Sequence, residues 1–165
     1  MIQDETIDLF MDSAAKAAVD VHRVRTVDEM NTVLAEILAG NDAIFCPRAT
    51  ELEKAVVLSD DRQTDDYRNA AICVEEVAGA IAETGSLVCS SQGGTNVQAG
   101  LLPGHHVALV GSEHIYASLD DFFGSLGNTP PTNITLETGP SRTADIELTL
   151  TVGVHGPGRL TVIVY

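Results

Sequence analysis

Between Thr6 and Val19 the apolar residues Ile7, Phe10, Met11, Ala14, Ala15 and Ala18 recur at the spacing of one helical face, which predicts a first helix with Thr6 or Asp4 as its cap. Val19, Val21 and Val24 then alternate as in a short strand. Thr26 has the chemistry of an N-cap for a second helix. Val27, Met30, Val33, Leu34, Ile37 and Leu38 line one side of that helix, and Gly40 ends it. Asp42 to Cys46 reads as a buried strand stopped by Pro47, and Ala49 to Leu58 is open to a helix. Ser59 to Asn69 (SDDRQTDDYRN) has no apolar period and reads as a surface connection.

Beyond Asn69 the pattern turns β-rich. Short apolar runs fall at Ala70 to Val74, Ala78 to Ala82, Ser86 to Ser90, His106 to Val110, Ile134 to Leu136 and Leu160 to Val164, with helix-sized intervals at Thr95 to Leu102 and Tyr116 to Leu126. Nearly continuous apolar strands interleaved with helices predict an α/β fold, a mostly parallel sheet flanked by helices, in one domain over residues 1–165. One segment supports two readings. From Asp145 to Val154, Ile146, Leu148, Leu150, Val152 and Val154 alternate as in a strand, whereas Gly139, Pro140 and Ser141 followed by Asp145 and Glu147 resemble a helix start.

Composition narrows the function classes. Nine Lys and Arg against 24 Asp and Glu give a net charge of −15, so nucleic acid is an unfavourable partner for the average surface. With 44% hydrophobic residues, 4% aromatic and no Trp, the core must be aliphatic. Cys46, Cys73 and Cys89 are far apart in apolar runs, as expected of small core residues in a reducing, cytoplasmic setting. They lack the spacing of a metal or redox motif, so neither a bound metal nor a cofactor is expected. The acidic start MIQDETIDLF has no signal-peptide pattern, and no run approaches the roughly 18 apolar residues of a membrane span.

Three small-and-polar clusters stand out: Glu83, Thr84, Gly85 and Ser86 between two strand runs; GPSRTADIE from Gly139 to Glu147; and GVHGPG from Gly153 to Gly158. Each lies at the end of a buried element, where α/β folds usually place ligands. The series AIAETGSLV, LLPGHHVALV and GPSRTADIELTLTVGVHGPGRLTVIVY, in this order, resembles the LUD-domain family, the LutC/YkgG group of lactate utilisation proteins. The resemblance implies the fold shared by phosphosugar isomerases, glucosamine-phosphate deaminase and CoA-transferases (NagB/RpiA/CoA-transferase-like). It further implies a helix after GPSRTAD and a place in cytosolic L-lactate oxidation beside iron–sulfur partner subunits, with a homo-oligomer left open. Against that family, the N-terminal part over residues 1–40 is short, and Gln98 stands where relatives often carry a basic residue.

The residues themselves suggest an anion site. Ser141 as N-cap would present the N–H groups of Arg142 and Thr143 to an anion, and the Arg142 guanidinium would hold a carboxylate or phosphate by paired hydrogen bonds. His155, on a turn where Gly156 lets the backbone approach a ligand, is placed to donate or accept a proton near neutral pH. Glu83 beside Thr84 and Gly85 is the expected catalytic carboxylate, and Asp145 the group orienting His155 or Arg142. Each has a plain structural alternative, namely a surface arginine, a turn histidine, a solvated strand end and a helix-dipole partner. His105 and His106 are adjacent, so on a strand they face opposite sides and cannot share a metal. Gly93 and Gly94 read as a turn, lacking the lysine of a phosphate loop. The leading expectation is therefore a small anionic ligand in a lactate-utilisation component. The rivals are a stand-alone isomerase or CoA-transferase-like enzyme and a noncatalytic scaffold or sensor.

Overall fold

The computed structural model describes residues 3–144, 150–152 and 155–165. The first apolar stripe forms helix α1 (Gln3–Lys16), which leads into strand β1 (Asp20–Arg23). Thr26 caps helix α2 (Val27–Ile37), its hydroxyl accepting the N–H of Glu29 at 3.1 Å. Pro47 follows the short strand β2 (Ile44–Phe45). Of the stretch open to a helix, only α3 (Glu51–Lys54) is helical, started by a reciprocal Thr50–Glu53 capping box. The acidic connection from Ser59 to Asn69 holds two short 3-10 turns before β3 (Ile72–Glu76).

The remaining runs become β4 (Gly79–Ile81), β5 (Ser86–Ser90), α4 (Gln98–Leu101), β6 (His105–Val110), β7 (Ile115–Tyr116), α5 (Leu119–Ser125) and β8 (Ile134–Glu137). The last described elements are β9 (Arg142–Ala144), β10 (Leu150–Val152) and β11 (Arg159–Val164). Strands β1, β11, β6, β3 and β2 lie side by side in that order in a sheet whose pairings are all parallel. This is the mostly parallel α/β architecture expected. Three of the apolar runs do not join it. β4, β5 and β8, with β7, form a separate mixed sheet in the order β7, β4, β5, β8.

Both faces of the parallel sheet are covered, which is why its strands lack polar alternation. One face sets Ala108, Val110, Leu160 and Val162 against Ile7, Phe10 and Ala14 of α1 and against Leu87 and Cys89 of the second sheet. The other sets Val74, Val107, Leu109 and Ile163 against Met30, Leu34 and Leu38 of α2 and its end. Phe10 has no exposed surface, so its truncation to alanine would cost about 3–5 kcal/mol.

The helix expected after GPSRTAD is not formed where it should begin. Arg142 to Ala144 are extended and pair antiparallel with Leu150 to Val152, in the register Arg142↔Val152, Thr143↔Thr151 and Ala144↔Leu150. The period-two alternation therefore outweighed the helix-like flank, because an extended, paired backbone satisfies its hydrogen bonds across the ladder. Asp145 and residues 146–149 lie outside the described residues. Among the described residues, no helix is long and apolar enough to cross a membrane.

Candidate functional site

Ser141, Arg142, His155 and Gly156, which are far apart in the chain, meet at one cleft of about 580 Å³. Its other walls include Ala17 at the end of α1, Leu101, and the segment from Leu136 to Pro140. The Ser141 N–H donates to the Pro157 carbonyl at 2.8 Å, which ties the two turns together. A Cβ on Gly156 would lie 3.3 Å from Ser141 Cβ, so the glycine allows this close approach. Because Ser141 precedes a strand, it caps no helix, and the N-terminal anion site expected there is absent. Among the described residues that line the cleft, the basic side chains are those of Arg142 and the exposed His155. The cleft opens beside Pro157 and Ala17, just ahead of β11 and β1. It thus lies at the amino edge of the parallel strands, opposite the edge that α/β folds usually use.

The Glu83 turn sits apart from this cleft. Glu83 Oε1 accepts the Leu119 N–H at 3.0 Å, so the carboxylate holds the start of α5. Gly85, at φ +69°, packs against the end of α1, where a methyl would fall within 2.6 Å of Ala14 Cα. Thr84 is linked to the cleft indirectly. Its hydroxyl meets Ser86 Oγ at 2.7 Å, and Ser86 Oγ meets Thr138 Oγ1 at 2.6 Å on the cleft wall. Thr143 lies in β9.

The carboxylate that does line the cleft is Glu137, which the sequence reading passed over. It belongs to a buried charged array. Parallel pairing of Cys73 with His106 puts Glu75 two residues further along the face that His106 occupies. His106 Nδ1 lies 2.7 Å from Glu137 Oε2, and Glu75 Oε1 lies 3.3 Å from Nε2, off the direct line of the ring N–H. Burial by itself would favour the neutral ring. The hydrogen bond to Glu137, the contact with Glu75 and their negative charge outweigh it and lift the His106 pKa to about 10. The imidazolium consequently serves both carboxylates. Gly100 makes the space, since a Cβ there would come within 2.6 Å of His106 Cε1 and also meet Glu75 Oε1.

His105 faces the other way, as adjacent strand positions require. Its Nε2 lies 2.9 Å from Thr161 Oγ1, and burial, with Arg159 nearby, pushes its pKa down to about 4. The signal for the array was an acid inside an apolar run: Glu75 follows Ile72, Cys73 and Val74, and a carboxylate so placed needs a buried partner. Glu75 and Glu76 also reach a smaller cleft of about 280 Å³ at the carboxyl edge, lined in addition by Thr50, Ser90, Gln92 and His114. Outside that cleft, Tyr165, whose hydroxyl donates to Glu76, has its pKa raised by burial and by that carboxylate.

The family model described as the LUD domain matches residues 64–165. Lactate utilization protein C of Macrococcus caseolyticus is 28% identical, in a match covering 99% of this chain and 79% of that protein. Its counterpart from Exiguobacterium is 30% identical over 77% of this chain and 60% of its own length. A crystal structure of a DUF162 family protein from Deinococcus radiodurans superposes with a TM-score of 0.76 at 20% identity. That match covers 99% of this chain and 98% of the other, and so shares the fold. The chain belongs to the LUD-domain family.

Proposed function

We propose that this protein is a LutC-like component of L-lactate utilisation that binds a small carboxylate anion in the Arg142–His155 cleft, acting with iron–sulfur partner proteins that carry the electrons. The observation that carries the reading is the state of Arg142 in a chain of net charge −15. Among the nine Lys and Arg, Lys16, Arg23, Lys54, Arg68 and Arg159 lie in ion pairs with Asp or Glu, and Arg48 and Arg62 donate to backbone carbonyls. Two remain, Arg25 and Arg142; both are exposed and have no ion pair among the described residues, and Arg142 is the one on the wall of the cleft of about 580 Å³. A guanidinium left unpaired beside an open cleft is suited to a planar carboxylate, which it grips with two hydrogen bonds. The names of the relatives from Macrococcus and Exiguobacterium supply the metabolic context.

The proposal of partner proteins draws on the thiols. Cys46, Cys73 and Cys89 are buried and separate, and burial raises the pKa of each, which disfavours the thiolate that a cluster requires. Calorimetric titration of L-lactate, pyruvate, phosphate and an acyl-CoA into the protein tests the anion site. Carboxylate binding that falls about ten- to hundredfold in Arg142→Ala, with unfolding unchanged, is the expected result. No binding of any carboxylate, or full binding by the variant, overturns the placement. Iron in material co-purified from native cells tests the partner half.

A further inference from the structure

We infer that the anion held at Arg142 carries an apolar chain along the rest of the cleft, so that this site takes monocarboxylates of about six to eight carbons in preference to acids of two or three. The inference rests on the anion reading of Arg142 and extends it from the charged end of the ligand to its body. Size is the first observation. A three-carbon acid such as lactate has about six non-hydrogen atoms, and at roughly 30 Å³ each, the share of one molecule in liquid water, it fills about 180 Å³. The cleft measures about 580 Å³. Lactate at Arg142 would leave most of that space to water.

The chemistry of the walls sets what the remainder of the ligand must be. Ala17 at the end of α1, the half-buried Leu101 at the end of α4, and Pro140 and Pro157 on the two tied turns line the cleft from separate parts of the chain. Proline has no N–H, so neither proline offers a backbone donor to the ligand. Polar groups between them are already engaged. The Ser141 N–H donates to the Pro157 carbonyl at 2.8 Å, Thr138 Oγ1 lies 2.6 Å from Ser86 Oγ, and Glu137 is buried against His106. A hydroxyl-rich body would gain little on such a surface, whereas a hydrocarbon chain removes apolar area from water. Charge complementarity sets the orientation. Arg142 and His155, the basic side chains among the described residues lining the cleft, are both exposed there and take the carboxylate, which leaves the chain to the leucine and the prolines.

The test is calorimetry on the full chain with acetate, butanoate, hexanoate, octanoate, decanoate, L-lactate and 1-octanol. The expected result is a single site whose affinity rises about two- to fourfold with each added methylene and levels off by decanoate, octanoate binding at least about tenfold more tightly than butanoate or lactate. 1-Octanol, which has the chain without the charge, should bind at least about tenfold more weakly than octanoate. Arg142→Ala should weaken hexanoate and octanoate by a similar factor, because the guanidinium meets only the carboxylate. Leu101→Gln, checked for cooperative unfolding, should flatten the gain per methylene. Affinity that ignores chain length but still falls in Arg142→Ala overturns the apolar chain while leaving the anion cleft standing. Binding at several sites that strengthens with length and ignores Arg142→Ala is detergent-like adsorption and overturns the inference as well. Failure of every acid to bind overturns the anion cleft and this inference together. Should Leu101→Gln not fold, the chain-length series on the wild-type protein decides the matter.

Discussion

Replacing His106 by glutamine removes the imidazolium from between two carboxylates whose side chains are 3% and 6% exposed. The hydrogen bond to Glu137 is charge-assisted and contributes about 1.5–3 kcal/mol. Leaving buried charge without its partner brings the expected loss to about 3–5 kcal/mol. The titration of the ring gives a similar size by another route. A rise from 6.5 to about 10 corresponds to on the order of 5 kcal/mol of preference for the charged ring in the folded protein. The sign follows from that direction. A histidine whose pKa is higher folded than unfolded contributes its full stabilisation below about pH 6.5 and loses it as the pH rises through about 10. The difference between wild type and His106→Gln should therefore be largest near pH 6.5 and shrink steadily toward pH 10. Glu137→Gln makes the informative contrast, for it leaves one imidazolium with one carboxylate, a neutral pair, and should cost less than the loss of the ring. Urea unfolding at several pH values measures these differences. In thermal unfolding at neutral pH the His106 variant should melt about 6–20 °C lower, at about 2–4 °C per kcal/mol for a chain this long. A loss below about 1 kcal/mol, or a gap that fails to narrow between pH 6.5 and 10, would refute the charged array.

Two further outcomes follow from the packing. Gly85→Ala and Gly139→Ala each place a methyl on the backbone at the end of α1, at φ of +69° and +75°, and should cost about 2–4 kcal/mol in chemical unfolding. Gly40→Ala, at φ +71° but facing open space, should cost only about 1 kcal/mol; equal losses at the three sites would show that backbone conformation alone matters. The thiols of Cys46, Cys73 and Cys89 should react with an aromatic disulfide reagent only as fast as the protein unfolds, and rapid labelling of the folded chain would contradict their burial.

Much of the secondary structure was readable locally. The second helix is the clearest case, since Thr26 caps it and its buried Met30 and Leu34 are the residues that the spacing marked. The strands β3, β5, β6 and β11 were also visible as apolar runs, because both faces of each are buried. The same property hid their assignment. A run apolar on both sides carries no mark of which sheet it enters, so the sequence reading could not divide β4, β5 and β8 from the parallel sheet. The segment after Ser141 failed for a related reason, as a helix-like flank and a strand-like alternation are local signals of similar weight. Pairing with Leu150 to Val152 made Arg142 to Ala144 a strand.

The site was legible in part. Arg142, Ser141, His155 and Gly156 stood out as polar groups on turns, and the fold does bring them to one cleft. Glu83, chosen on the same grounds, instead holds the start of α5. Thus the sequence by itself determined the local elements, the aliphatic core and the acidic surface, all of which depend on composition and on neighbours within a few residues. Only the tertiary structure decided which polar groups meet. His106 and Glu137 lie 31 residues apart and Ser86 and Thr138 lie 52 apart, so their contacts depend on strand register and on how the two sheets stack. A buried charge is tolerable only where such a distant partner arrives, and no local pattern records that arrival.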